Sequence, residues 1–287
     1  MSDTWQPRRA AFYFSAHEDD WQLFMMPAAG HDVRDETARC VFVHVTAGDA
    51  GLGIGTGGRR HPYYRAREAG AEAAIRFMVD GDGRSPGEPI VDAPVYAGHA
   101  IRRVTYRNTV AYFVRLPDGN PEGSGYDATG NQSLKRLAEG AIDSMTAIDG
   151  SAGYLGWRDL TATLRALVVA ECEGRVPDLH LPELDAARNP GEHADHLLTA
   201  RAVRDAVAGL PARLVHHLGY ASGERPENLA GAERDLKCAV YAVTMATVLA
   251  HDHPVAWRHY DELYVGRDYS RTERAQGDAA VRPSRSA

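Results

Sequence analysis

Two short, almost continuous apolar runs near the beginning of the chain constrain its fold most. Residues 11–15 and 39–46 are rich in aromatic and β-branched side chains and are too short for typical helices. We therefore expect two buried strands. The second run is nearly all apolar, which is typical of a central parallel strand that is covered on both faces.

The rest of the chain alternates in the same way. Apolar runs predict further strands at residues 89–97, 101–107, 110–116, 177–182 and 213–220. Helical patterns predict helices at residues 61–78, 132–139, 157–172, 194–207 and 232–249. This alternation predicts a layered α/β fold with a largely parallel sheet flanked by helices. With no linker or repeat to divide it, we expect one domain over residues 1–265, followed by a loose, polar, Arg-rich tail over residues 266–287.

The bulk properties exclude several classes of protein. A formal net charge of −7 argues against a nucleic-acid-binding protein, which needs a basic face. No apolar segment is long enough to cross a bilayer, and the first residues lack the apolar core of a signal peptide. The 3 cysteines are widely separated in sequence. These features predict a cytoplasmic protein with reduced thiols.

A histidine and two aspartates follow the first predicted strand directly. His17, Asp19 and Asp20 lie where that strand ends and a helix begins. In open α/β sheets, ligands bind at the carboxyl ends of the strands. His17 and Asp20 can turn toward one point while Asp19 takes another direction. Two of these groups could then hold a metal ion while the third acts on its bound water.

The missing ligand is predicted at the start of a later helix. His193 and His196 are three residues apart and share one helical face. One of them, together with His17 and Asp20, completes a set of two histidines and one carboxylate, which leaves a position open for water. Zinc is the natural occupant of such a site in a hydrolase, and Fe²⁺ is the alternative. The spacing alone does not decide between His193 and His196.

Two segments, AHEDD at residues 16–20 and HADH at residues 193–196, together resemble motifs of the de-N-acetylases of the PIG-L or LmbE-like group. The resemblance implies a Rossmann-like sheet and hydrolysis of the N-acyl group of an aminosugar. It also implies that His17, Asp20 and His196 are the metal ligands and that Asp19 is the general base. His193 matches the family's oxyanion-stabilising histidine, which we expect to act in its protonated form.

Two weaker matches and one departure accompany these motifs. Gly48 and Asp49 resemble the family's loop after the second strand, and Arg65 with Glu68 resembles its Arg-xx-Glu pair. These four residues are expected to contact substrate, although Arg65 and Glu68 fit an exposed helical ion pair equally well. Glu18 replaces the family's usual proline, which adds a charge and removes a fixed φ angle.

The sequence is also compatible with two other functions. A glycine-rich segment at residues 51–58 allows a dinucleotide-binding protein, although it follows the second strand rather than the first. A non-catalytic relative that binds a sugar or natural product is a further alternative, but binding alone requires no base at position 19. The expected partner is a small N-acylated aminosugar or natural product.

Overall fold

The computed structural model describes residues 6–81, 83 and 85–275. The strands are β1 Arg9–Ser15, β2 Ala38–Thr46, β3 Ile90–Asp92, β4 Val95–Tyr96, β5 His99–Ala100, β6 Arg102–Tyr106, β7 Thr109–Leu116, β8 Ser144–Thr146, β9 Gly153–Leu155, β10 Asp178–Pro182, β11 Ala212–His217 and β12 Ser270–Ala275. The α-helices are α1 Asp20–Phe24, α2 Ala28–Arg34, α3 Tyr63–Asp80, α4 Leu134–Ala138, α5 Gly156–Cys172, α6 Ala194–Ala206, α7 Gly231–Ala250 and α8 Trp257–Tyr260. A short π-helix, Asp261–Val265, follows α8.

An eight-stranded sheet in the order β12-β11-β10-β1-β2-β7-β6-β3 forms the centre of the fold. The strands from β11 to β7 pair in parallel, and β12, β6 and β3 add antiparallel pairings at the two edges. The mixed α/β architecture and the largely parallel sheet confirm the predicted fold class. Because the parallel strands end at one edge, the loops that follow them meet there.

Strand β1 shows how the sequence builds the layers. Phe12 and Phe14 pack in one core with α5 and α6, whereas Ala11 and Tyr13 pack in the opposite core with α3 and α7. Successive side chains of a strand point to opposite faces, so a strand covered on both faces must be apolar throughout. This is why the run at residues 11–15 lacks alternation.

The structure corrects the sequence prediction at the C-terminal end. Residues 270–275 form β12, which pairs antiparallel with β11 in register from Ala212–Ala275 to His217–Ser270. The expected tail therefore begins as an edge strand of the domain. Its polar side chains suit an edge because one side of the strand faces solvent, and charge there also opposes pairing with other chains. Residues 276–287 of the expected tail lie outside the described residues.

Shorter elements also differ from the prediction. The strand expected at residues 89–97 is divided into β3 and β4, with Pro94 between them. Proline interrupts a ladder because it has no N–H to donate. The strand expected at residues 213–220 ends at His217. None of the helices in the described ranges is both long and apolar enough to cross a membrane.

Lys237 on α7 is a buried cation on the sheet side opposite α5. Its side chain is 0% exposed, and its Nζ donates a hydrogen bond to the carbonyl oxygen of Arg267. Burial lowers the pKa of this ammonium to about 7, against the weaker opposing effect of Asp268. The lysine holds the chain just before β12 to α7, at the cost of a desolvated charge.

Replacing Lys237 with Met should change how stability depends on pH. Between about pH 7 and the unfolded pKa of about 10.4, the unfolded chain binds more protons at this site, so wild-type stability rises with pH. From pH 7 to pH 9 the wild type should gain roughly 2–3 kcal/mol in free energy of unfolding relative to Lys237→Met, measured by urea denaturation. The Lys135→Met variant, which changes a half-buried surface lysine, is the control. An equal difference at both pH values would contradict the prediction.

Candidate metal centre

The loops at the carboxyl edge of the sheet bring four segments together. His17 follows β1, Gly48 follows β2, and Asp118 follows β7. The fourth segment is the first turn of α6, where His193 is the N-cap residue and accepts a hydrogen bond from the backbone N–H of Asp195. Residues that are far apart in sequence thus share one site.

His17, Asp20 and His196 form a compact triangle of ligand atoms. His17 Nδ1 lies 3.1 Å from His196 Nε2 and 3.6 Å from Asp20 Oδ1, and His196 Nε2 lies 3.2 Å from Asp20 Oδ1. Ligands held about 2.0–2.1 Å from a tetrahedral ion would be separated by about 3.3 Å. All three residues are buried. These buried His and Asp groups could therefore hold a metal ion.

Neighbouring groups orient each ligand of the triangle. Asp20 Oδ2 accepts a hydrogen bond from the backbone N–H of His17 at 2.7 Å, which leaves Oδ1 facing the histidines. His196 Nδ1 lies 2.7 Å from Glu192 Oε1, so its N–H donates there, and in the neutral ring Nε2 carries the lone pair that a metal ion needs. Glu192 also accepts hydrogen bonds from the backbone N–H groups of His193 and Tyr220. Such outer carboxylates fix the tautomer of a ligating histidine.

Opposite charges balance within the triangle. Burial opposes ionisation of Asp20, but the rings of His196 and His17 hold its pKa well below its usual range. Burial also opposes the charged forms of both histidines. Even so, Asp20, with Glu192, raises the pKa of His196 to about 10, and Asp20 raises that of His17. Binding of a cation between these groups would therefore release protons from the histidines.

A second acidic group lies on the other side of the His17 ring. His17 Nε2 is 3.7 Å from both Asp118 Oδ2 and Asp195 Oδ2, and it has no hydrogen-bond partner among the described residues. Asp195 is fixed by the backbone N–H of Gly119, at 2.7 Å. These carboxylates place negative charge behind a ligand ring, which makes the ring a better donor to a cation.

Asp19 pairs with an arginine and faces the cleft, so its surroundings differ from those of the triangle residue Asp20. Its Oδ1 accepts a hydrogen bond from Arg67 Nη2, and its side chain is 14% exposed to the cleft, so it is accessible from that side. Arg67 also lies 2.9 Å from Glu18 Oε2 through its Nε atom and donates to the carbonyl oxygen of Gly48. Burial raises the pKa of Glu18 to about 8. Arg67 therefore links Glu18 to Asp19, the candidate base.

His193 corrects one expectation about charge. Burial, together with the neighbouring His17 and His196 rings, lowers its pKa to about 3, so it is neutral near pH 7 rather than protonated. Its Nδ1 accepts the N–H of Asp195 at 3.1 Å, which leaves the hydrogen of the neutral ring on Nε2. His193 lines the cleft. It is therefore placed as a neutral hydrogen-bond donor.

A cleft of about 240 Å³ opens beside these residues. Its metal end is lined by His17, Glu18, Asp19, Asp20, Arg67, Asp118 and His193. Its other walls come mainly from α1, α7 and the segment between α7 and α8. The volume lies just below the usual range of about 300–1,000 Å³ for small-molecule pockets, which indicates a small ligand.

The residues expected to contact substrate lie elsewhere. Glu68 is buried and forms a two-pronged ion pair with Arg115, at 2.5 Å and 2.9 Å, while Arg65 lies 3.1 Å from Glu68. Neither Arg65 nor Glu68 lines the cleft. Their expected contact with substrate therefore has no support in this geometry.

Gly48 and Asp49 support the site from behind. Gly48 has a φ of +49°, and an added Cβ would lie 2.6 Å from Glu18 Oε2, so only glycine fits against the buried glutamate. Asp49 accepts hydrogen bonds from the N–H groups of Gly53 and Asp118 at 2.8 Å and 2.9 Å. It thus joins the loop after β2 to the loop after β7. Neither residue lines the cleft.

Sequence reasoning missed three residues of the site. Arg67 lies two positions from the matched Arg65, and α3 directs it rather than Arg65 toward Asp19. Glu192 precedes the HADH segment, and its spacing of four residues from His196 is a signal that could have revealed it. Asp118 lies in the loop after β7, outside both motifs that predicted the site.

No family model matches the chain, and the search of curated proteins gives no match. Among solved structures, the chain is similar to GalB, the 4-carboxy-2-hydroxymuconate hydratase from Pseudomonas putida KT2440. The identity is 14%, the TM-score is 0.40, and the match covers 89% of this chain and 82% of that chain. A similarity this distant identifies no function.

Changing Glu192 to Gln should weaken metal binding without removing a ligand. The amide cannot accept the His196 N–H as strongly as a carboxylate, and changes to such outer partners typically cost about 10–100-fold in affinity. Zn²⁺ affinity measured by competition with a chelator should fall by that factor, and Ni²⁺ affinity should fall in parallel. Glu224→Gln, an exposed change, is the control. Unchanged affinity in Glu192→Gln would contradict the assigned role.

Proposed function

We propose that the protein is a metal-dependent hydrolase that removes an N-acetyl or other N-acyl group from a small aminosugar-type molecule or natural product. The observation that carries the proposal is the buried triangle of His17, Asp20 and His196, with the carboxylate of Asp19, which is not part of the triangle, on the same cleft. A metal-only binding protein has no need of that fourth group. The aminosugar substrate rests on the sequence resemblance.

Zn²⁺ is the ion that we propose, with Fe²⁺ as the alternative. Two imidazoles and one carboxylate are typical ligands for a catalytic zinc with an open position. When bound there, the ion would supply a Lewis acid for the amide carbonyl and lower the pKa of water. His17, Asp20 and His196 would hold it.

Asp19 is the proposed general base. It faces the cleft, and its carboxylate takes the proton from the attacking water. Arg67 holds one of its oxygens, which fixes the carboxylate and leaves the other oxygen for the water. The same carboxyl group then returns the proton to the leaving amine, so that a neutral product departs.

His193 is the proposed donor to the carbonyl oxygen. As negative charge develops on that oxygen, the Nε2–H of the neutral ring stabilises it with a hydrogen bond. The tautomer needed for this is set by the Asp195 N–H at Nδ1. A neutral imidazole can serve as an electrophile of this kind.

The Asp19→Asn variant separates catalysis from metal binding. Asparagine keeps the hydrogen bond from Arg67 but cannot accept the proton, so kcat for amine release from N-acetylglucosamine should fall by about 10²–10⁴-fold. Zinc content, measured by metal analysis, should stay at the wild-type level. The exposed Asp143→Asn variant should retain wild-type kcat. Equal activity of Asp19→Asn and wild type would exclude Asp19 as the base.

The His17→Ala and His196→Ala variants test whether these two residues bind the metal ion. Each removes one of three ligands, so both variants should lose bound zinc and activity together, whereas His216→Ala should keep its zinc. The same measurements address the alternatives. Zinc without amine release from any N-acylated sugar would favour a non-catalytic binding protein, and NAD(P)H binding without metal would favour a dinucleotide-binding protein.

A further inference from the structure

One wall of the cleft is apolar. It is formed by Leu23 and Phe24 of α1, Tyr241, Met245 and Val248 of α7, and Val255 beyond α7. We call these six residues the apolar wall. The three on α7 are spaced by four and three residues, so they lie on one face of the helix.

The charged residues of the cleft are not part of this wall. The carboxylates that line the cleft are Glu18, Asp19, Asp20 and Asp118, all at the metal end. The polar side chain between Tyr241 and Met245 is Thr244, and its hydroxyl already donates to the carbonyl oxygen of Gly70 at 3.2 Å. Tyr63, Tyr126, Tyr220 and Tyr260 line other parts of the cleft. Against the apolar wall itself, a second hydrated sugar ring would find only the Tyr241 hydroxyl as a side-chain partner, so most of its hydroxyls there would lose water without gaining a hydrogen bond.

Tyr241 is the exception within the wall. It is 0% exposed, its ring stacks on Trp257 with centroids 5.4 Å apart, and its hydroxyl has no hydrogen-bond partner among the described residues. A buried hydroxyl without a partner is unusual in a folded protein. Because Tyr241 lines the cleft, a ligand with an acceptor atom can satisfy it.

We propose that the apolar wall is a specificity subsite for an alkyl or aryl group attached to the scissile amide, with an ether or carbonyl oxygen that accepts a hydrogen bond from Tyr241. This inference rests on the proposed function and names its substrate class. The substrate is then an N-acylated amine that is polar at the amide and apolar beyond it. The apolar group can belong either to the acyl chain or to a substituent on the amine, and the two arms of the experiment distinguish them.

The experiment measures kcat/KM of the zinc-loaded protein on two series. The acyl arm compares N-acetyl-, N-butanoyl-, N-hexanoyl- and N-benzoyl-glucosamine. The amine arm compares N-acetylglucosamine with its phenyl and butyl glycosides. In at least one arm kcat/KM should rise 10-fold or more with the apolar group, because burial of that group against the wall adds binding energy. A flat profile in both arms overturns the subsite while the proposed function stands.

Variants on α7 test whether the preference for an apolar group comes from the apolar wall. Val248→Asn should remove most of that 10-fold preference, whereas Leu249→Asn should keep it, since Leu249 lies next along α7 but is 60% exposed. Tyr241→Phe removes only the hydroxyl and tests the wall without disturbing its shape. It should lower kcat/KM several-fold for the phenyl glycoside, whose ether oxygen can accept the bond, or for N-benzoyl-glucosamine. Equal preference in Val248→Asn and wild type would overturn the assignment.

A binding measurement separates failure of the subsite from failure of the proposed function. If zinc is bound but no compound releases amine, the hydrolase proposal fails. Calorimetry with the Asp19→Asn protein then tests the wall directly. Tighter binding of N-hexanoyl-glucosamine or the phenyl glycoside than of N-acetylglucosamine supports the subsite, and equal binding overturns it.

Discussion

Asp20 is the residue on which the arrangement at the cleft depends. One of its oxygens accepts the N–H of His17, and the other lies within reach of both His17 Nδ1 and His196 Nε2. The carboxylate therefore ties the loop after β1 to the first turn of α6, about 180 positions away along the chain. Two buried imidazoles side by side would repel each other when charged, and a shared carboxylate, or a shared cation, removes that repulsion.

The parallel sheet makes this tie possible. Neighbouring parallel strands deliver their following loops to one edge, so β1, β2 and β7 supply His17, Gly48 and Asp118 to the same small volume. Asp49 then joins two of those loops through backbone N–H groups. The site is thus built on strand ends, and its precision comes from a core that is packed on both faces of the sheet.

Local patterns in the sequence predicted the elements and motifs that depend only on neighbouring residues in the chain. The apolar runs of β1 and β2 and the amphipathic helices were predictable because each is determined by its own side chains. The ligand triangle was accessible because its residues lie in two short motifs at strand–helix junctions. By contrast, the sequence did not reveal that Arg67 rather than Arg65 faces Asp19, because this depends on how α3 is rotated against the sheet. It also did not reveal β12, whose polar residues form a strand only because β11 offers an open edge.

That last pairing affects how the domain is completed during synthesis. β12 is the final described strand in chain order, yet it pairs along the full length of β11, next to the buried strands. The chain must therefore be synthesised past residue 275 before the backbone groups on the outer side of β11 find their partners. Until then the nascent chain exposes an unpaired strand edge. Once β12 has paired with β11, its polar side chains form the new edge of the sheet and oppose pairing with other chains.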